Sequence, residues 1–141
     1  METINHEYYV SLEVAKLLKQ AGFDWKCNLY FSELSAPKEA GIFDAVTNKV
    51  YGVFDSTILG IGNPTEDDIL RPTLDVAQRW LREVKGYSIY PTYGGYKIYV
   101  LDINDSAGFS RTYGLNSNLT YEEAQEVGEK KALEIILEKG E

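Results

Sequence analysis

The chain has 141 residues, of which 44% are hydrophobic and 26% are charged, proportions close to those of ordinary globular proteins. This composition disfavours disordered, collagen-like and coiled-coil proteins, and the length suits one domain spanning residues 1–141. The formal net charge of −8 disfavours nucleic acid as a partner, because that affinity comes largely from Lys and Arg side chains that neutralise phosphates.

Two features predict where the protein resides. No apolar run approaches the roughly 18 residues that a membrane span needs, and residues 1–7 are too polar to be typical of a signal peptide. The single cysteine, Cys27, excludes an internal disulfide framework and suits a reducing compartment. We therefore expect a cytoplasmic protein that does not contact the membrane.

The first half of the chain reads as a helix followed by a hairpin. Ser11 can accept hydrogen bonds from the N–H groups of a first helical turn, and Gly22 is typical of a residue that ends a helix in the left-handed conformation. Hydrophobic and polar residues then alternate over 25–32, which predicts a strand. Residues 50–54 are predicted to return beside it.

Two segments, residues 35–48 and 56–72, have no clear periodicity. Both are predicted to be loops, and loops of this length in a compact domain are usually functional or mobile. A second amphipathic helix is predicted between Thr73 and Gly86. Thr73 corresponds to Ser11 at the start of the first helix, and Gly86 corresponds to Gly22 at its end.

A second hairpin is predicted from residues 87–93 and 96–103 around Gly94-Gly95, since two glycines suit the positive φ angles of a tight turn. A shorter strand is predicted at 109–113. The predicted pairs are Tyr93 with Tyr96, Pro91 with Ile98, Tyr90 with Tyr99 and Ile89 with Val100. The alternation then leaves one face for solvent, with Tyr90, Tyr99, Thr92 and Lys97 on it.

The third helix begins at Thr120, which forms a capping-box pattern with Glu123. Leu133 and Leu137 lie four residues apart and nearly opposite the predicted core stripe. Two alternatives follow: another element of the chain covers them, or they are exposed and mediate a homodimer. The predicted core stripe consists of Tyr121, Ala124, Gly128, Ala132, Ile135 and Ile136.

These elements predict an α+β fold. The order is α-β-β-α-β-β-(β)-α, with an antiparallel sheet of about four to five strands in two hairpins and three amphipathic helices. Hairpins favour antiparallel pairing, and we expect the helices to pack on one face of the sheet.

A resemblance to a known family is carried by residues 9–23 and 72–83, together with 96–99 and 120–124. The chain resembles a family of small uncharacterised proteins of gut Bacteroidetes that are often encoded in prophage or other mobile-element neighbourhoods. The resemblance implies a cytoplasmic, accessory, phage-like product. It implies no catalytic residue, because no activity is established for the family.

The sequence offers no recognisable catalytic or metal-binding pattern. His6 is the only histidine, lies before the first helix and is interpreted as a surface residue. Cys27 lies on the apolar side of its predicted strand and is interpreted as a small buried residue. We therefore predict no catalytic residue, no metal site and no cofactor.

Three functions follow as hypotheses. The leading one is a non-enzymatic protein-interaction module, in which Tyr90 and Tyr99 contact an unknown protein partner, although an opposed tyrosine pair also stabilises a sheet by about 0.2–1 kcal/mol whatever its function. The second is single-stranded nucleic-acid binding, with bases stacked on Tyr90 and Tyr99. Basic residues near the second helix would assist it, namely Arg71, Arg79, Arg82 and Lys85.

The third hypothesis is a small enzyme whose site combines carboxylates and tyrosines that are distant in sequence. A deep pocket lined by at least two of a small set of residues would favour this hypothesis. The set is Glu33, Asp44, Asp55, Asp67, Asp68 and Tyr113.

Overall fold

The computed structural model describes residues 6–92, 95–102, 105–114 and 120–140, with side chains for residues 6–91 and 120–140. The three predicted helices are present as α1 (Leu12–Gln20), α2 (Leu74–Trp80) and α3 (Tyr121–Lys139). Short 3₁₀ turns occur at His6–Tyr8 and Lys38–Ala40. A single π-helical turn, Leu81–Lys85, extends α2.

The predicted helix boundaries are confirmed by their capping contacts. The hydroxyls of Ser11, Thr73 and Thr120 each accept a backbone N–H from the first turn, and Thr120 forms the complete capping box with Glu123. Gly86 ends the second helical segment with φ 77°, a left-handed conformation that a residue without Cβ adopts easily.

Within the described residues, the strands form two antiparallel sheets. The first contains β1 (Leu29–Leu34), β2 (Ile42–Asp44), β3 (Lys49–Asp55) and β4 (Ile69–Leu70) in the order β2-β3-β1-β4. The second contains β5 (Tyr87–Thr92), β6 (Gly95–Asp102) and β7 (Asp105–Gly114) in the order β5-β6-β7. The predicted class, α+β with antiparallel strands and three helices, is confirmed.

Some predicted boundaries differ from the structure. The burial alternation over 25–28 is present, but hydrogen-bonded pairing begins only at Leu29. The two predicted loops contain the short edge strands β2 and β4, because both strands depend on partners elsewhere in the chain rather than on their own periodicity.

The predicted register of the second hairpin is wrong by two residues. Tyr90 pairs with Lys97 and Tyr99 pairs with Ser88, so the tyrosines are not directly opposed. Thr92 pairs with Gly95, so Gly95 belongs to β6 and not to the predicted turn. A shift of two residues leaves every residue on the same face of a sheet, so the hydrophobic pattern cannot distinguish the two registers.

One apolar core joins α1, α2 and α3 to both sheets. It includes Phe31 and Tyr51 from the first sheet and Ile89 from the second. Leu133 is completely buried in this core, so the chain itself covers it, whereas Leu137 is only partly buried against the core. Leu133 is therefore not available for contact with a second copy.

The predicted core stripe of α3 is partly wrong. Tyr121 is 60% exposed, whereas Gln125, Glu129 and Leu133 are buried. The helix is covered over a wide arc because α1, α2 and the second sheet all pack against it. A pattern of apolar residues cannot predict this arc, since two of its members are polar.

Candidate functional site

A cleft of about 610 Å³ lies between the C-terminal end of α1 and the segment that joins β3 to β4. We call residues 56–68 the anchored loop. The apolar wall of the cleft includes Ala15, Phe23 and Leu70, and the rim carries Lys26 and Glu66. A concave, partly apolar site of this size can hold a small molecule or a side chain of a partner protein.

The anchored loop is held in place at both of its ends. The Ser56 N–H donates to the Asn28 carbonyl at 2.8 Å, and the Lys19 ammonium donates to the carbonyls of Glu66 at 2.8 Å and Asp68 at 3.0 Å. These bonds hold the loop as a wall of the cleft.

Further hydrogen bonds stabilise the middle of the anchored loop and its two ends. The Tyr30 hydroxyl donates to the Gly62 carbonyl at 2.8 Å. The Asp68 carboxylate accepts the Thr65 N–H at 2.8 Å, and Asp55 accepts the Thr57 N–H at 2.9 Å just before the tip. The accepted bonds from Thr57 hold the pKa of Asp55 below its usual range.

The tip of this loop exposes two adjacent apolar side chains. Ile58 is 55% exposed and Leu59 is fully exposed, and both follow directly on the bond between Asp55 and Thr57. Isolated apolar residues are common on protein surfaces. Here, however, two adjacent apolar side chains are exposed on a loop that several hydrogen bonds hold in place.

Cys27 lines the cleft but is not suited to nucleophilic chemistry. Its side chain is partly buried, and burial raises the pKa of the thiol to about 11. The thiol therefore stays protonated near neutral pH, whereas a reactive cysteine needs a thiolate.

His6 is exposed, as predicted, but it does not stand alone. The Arg71 guanidinium donates from Nη1 to His6 Nδ1 at 2.8 Å and from Nε to the Val10 carbonyl at 2.9 Å. The same guanidinium lies over the rings of Tyr9 and Phe31, at 5.5 and 5.0 Å from their centres. Burial lowers the pKa of the Arg71 guanidinium. Through these contacts, Arg71 fastens the N-terminal segment to the core.

Three of the four basic residues predicted near α2 make contacts within the described chain. Besides the buried Arg71, the Arg79 guanidinium lies 5.1 Å from the Trp25 ring centre and 3.5 Å from Glu83. Lys85 lies 5.8 Å from the Trp80 ring centre. Arg79 and Arg82 are exposed, so the nucleic-acid hypothesis stays a prediction.

The carboxylates of the enzyme hypothesis do not assemble in the cleft. Of that set, Asp68 lines it. Glu33 pairs with Lys49 at 3.5 Å and Asp44 pairs with Lys16, so each has a different neighbour. The side chain of Tyr113 lies outside the described residues. Among the residues that the structure describes, no three His, Cys, Asp or Glu side chains are placed to hold a metal ion.

The predicted tyrosine surface is described only in part. Tyr90 is 52% exposed. The side chains of Tyr99, Thr92 and Lys97 lie outside the described residues, so this surface stays a prediction.

Sequence reasoning missed three residues of the candidate site: Lys19, Ile58 and Leu59. The available signal was an apolar pair inside a long, glycine-containing segment that was already predicted to be a loop. Lys19 carried no signal, because its partners are backbone carbonyls 47 and 49 residues away.

Comparison of the chain with protein-family models, curated proteins and solved structures gave no match. Over the described ranges, none of the helices combines the length and the apolar character required to cross a bilayer.

Proposed function

We propose that this protein is a non-enzymatic interaction module that binds a partner protein through the tip of the anchored loop and the cleft beside it. The observation that carries the proposal is the exposure of Ile58 and Leu59 on a loop that hydrogen bonds with several groups outside it hold in place; these groups are Asn28, Lys19, Tyr30 and Asp55. A loop ordered before binding loses little conformational entropy when a partner covers it.

The groups in the cleft support binding better than catalysis. The Cys27 thiol is protonated, and His6 is bonded to Arg71 rather than to a cleft residue. Asp68 already accepts a hydrogen bond from Thr65. A nucleophile with an adjacent base, which covalent catalysis requires, has no support among these groups.

The resemblance to mobile-element proteins of gut Bacteroidetes extends this proposal. On that basis we propose an accessory protein that acts in the cytoplasm of a bacterial host. Its acidic charge suits a role that does not depend on contact with nucleic acid.

The test compares wild-type protein with the double variant Ile58→Asp, Leu59→Asp as bait in a bacterial host lysate. We expect wild type to retain a stoichiometric partner and the double variant to lose at least about tenfold of it, since hot-spot side chains dominate interface energy. The matched control is Val46→Asp, because Val46 is 94% exposed in a different turn and should leave capture unchanged.

Capture of the same partner in equal amount by the double variant would contradict the proposed surface. Recovery of no stoichiometric partner by wild type would contradict the proposed function. Circular dichroism should show that all three proteins are equally folded, because surface substitutions of this kind change stability by only about 0.5 kcal/mol.

A further inference from the structure

A second concave site lies where the N-terminal segment meets the first turns of α2 and α3. It has a volume of about 380 Å³, and the residues that matter for its chemistry are Tyr8, Asp75, Tyr121, Glu122 and Gln125. Residues of the cleft beside the anchored loop do not line it.

Two tyrosine rings of this pocket are open to solvent. Tyr8 is 50% exposed and Tyr121 is 60% exposed. Within the part of the chain that the structure describes, neither ring stacks on another aromatic ring or faces a cation. By contrast, Arg71 lies over the Tyr9 ring and Arg79 lies over the Trp25 ring. These two aromatic faces are therefore already occupied by cations of the same chain.

The charges that line this pocket are negative. Asp75 and Glu122 lie in the first turns of α2 and α3, and the lining residues include no Lys or Arg. Gln125 Nε2 donates to Asp75 Oδ1 at 2.9 Å, which fixes the position of that carboxylate. The Asp75 side of the pocket is therefore ordered before any ligand enters.

The helix ends do not reverse this sign. The N-terminus of a helix carries about half a positive charge, whereas each carboxylate carries a full negative one. The hydroxyls of Thr73 and Thr120 also satisfy one N–H of each first turn. The pocket consequently attracts cations and repels anions.

We infer that this pocket binds an alkylammonium or guanidinium group between Tyr8 and Tyr121, with Asp75 and Glu122 balancing its charge. Aromatic faces attract a cation through the ring quadrupole, and adjacent carboxylates add direct attraction. A lysine or arginine side chain of a partner and a free quaternary ammonium compound share this chemistry. The inference does not depend on the anchored loop.

The test is an NMR titration of the full chain with choline, with N-acetyl-lysine methylamide, and with 3,3-dimethylbutan-1-ol, the neutral isostere of choline. We expect the two cations to shift the amides of residues 73–76 and 121–125 in a saturable way, with weaker binding at high salt. The neutral isostere should bind at least about fivefold more weakly, because it lacks the cation–ring and charge terms. Tighter binding of choline assigns a small-molecule ligand, and tighter binding of the lysine compound assigns a partner side chain.

Variants separate a site from general stickiness. Tyr8→Leu with Tyr121→Leu should weaken cation binding at least about fivefold while leaving the protein folded, because both rings are exposed. Glu122→Gln should also weaken it. The matched control, Tyr90→Leu, replaces a similarly exposed tyrosine outside the pocket and should leave binding unchanged.

Equal binding of choline and its neutral isostere would overturn the inference, as would binding that the tyrosine pair and Tyr90 affect alike. Saturable shifts of the same amides by sulfate would also overturn it, since the pocket would then be an anion site.

Discussion

Glu129 is a charged residue type in a place where charge is costly. Its side chain is completely buried on α3, and both carboxylate oxygens lack hydrogen-bond partners among the described residues. Burial raises the pKa of this carboxyl well above its usual range, and the negative charges of Glu126 and Asp75 raise it further. The folded protein therefore holds a proton that the unfolded chain releases at about pH 4.3.

This proton makes stability depend on pH in a defined direction. Because the folded pKa is raised, Glu129 lowers the free energy of unfolding as pH rises from about 4.3 to the folded pKa, by about 1.4 kcal/mol for each pH unit in that window. Glu129→Gln, which stays neutral, should therefore be more stable than wild type at about pH 7 and lose this advantage at about pH 4. Urea unfolding at both pH values measures the difference.

The matched control for this prediction is Glu138→Gln, a substitution at an exposed glutamate of the same helix. It should show no comparable pH-dependent gain. A gap between wild type and Glu129→Gln that is equal at both pH values would contradict a buried, protonated carboxyl.

Residue types alone predicted the local roles of Ser11, Gly86 and Thr120, since a cap depends on neighbours within four residues. The same reasoning could not predict the burial of Arg71 or Glu129. Both side chains are buried by residues far away in the sequence, and a charged residue is ordinarily exposed.

At the scale of elements, the Lys19 side chain links α1 to the anchored loop. The two bonds from the Lys19 ammonium fasten the loop just before β4. Because a net hydrogen bond is worth about 0.5–1.5 kcal/mol, losing both should release this end of the loop without unfolding the protein.

We therefore expect Lys19→Met to speed hydrogen exchange of the amides of residues 65–68 while leaving the core amides of α2 protected. The control is Lys26→Met, which removes a cation from the same cleft. Unchanged exchange in Lys19→Met would show that the loop does not depend on this lysine.

The helices and their ends were predictable because each is a local pattern. The strands β2 and β4 were not, since β2 is three residues long and β4 two, and each exists only by pairing with β3 or β1. A periodic pattern needs at least four residues to be recognised.

For the whole molecule, the shared core predicts cooperative unfolding. Buried residues of both sheets and of all three helices belong to one apolar cluster, so neither sheet has a separate core of its own among the described residues. We expect a single two-state transition in urea.

The measurement follows far-UV circular dichroism and tryptophan fluorescence together. Trp80, the last residue of α2, is buried in the core. It contacts Phe23 edge to face with ring centres 5.4 Å apart, so its emission reports core packing. Coincident midpoints are expected. Two separated transitions would mean that the sheets unfold independently.

The sequence alone determined the fold class of this protein, with three capped amphipathic helices and antiparallel strands. It also identified two segments, residues 35–48 and 56–72, that have no clear periodicity. These features depend on interactions between near neighbours, which a single chain displays directly. Tertiary structure decided the register of the second hairpin, the cover over Leu133, the cleft beside the anchored loop and the pocket between Tyr8 and Tyr121. Each of these depends on residues that are far apart in sequence and meet only when the core forms, so no local pattern could specify them.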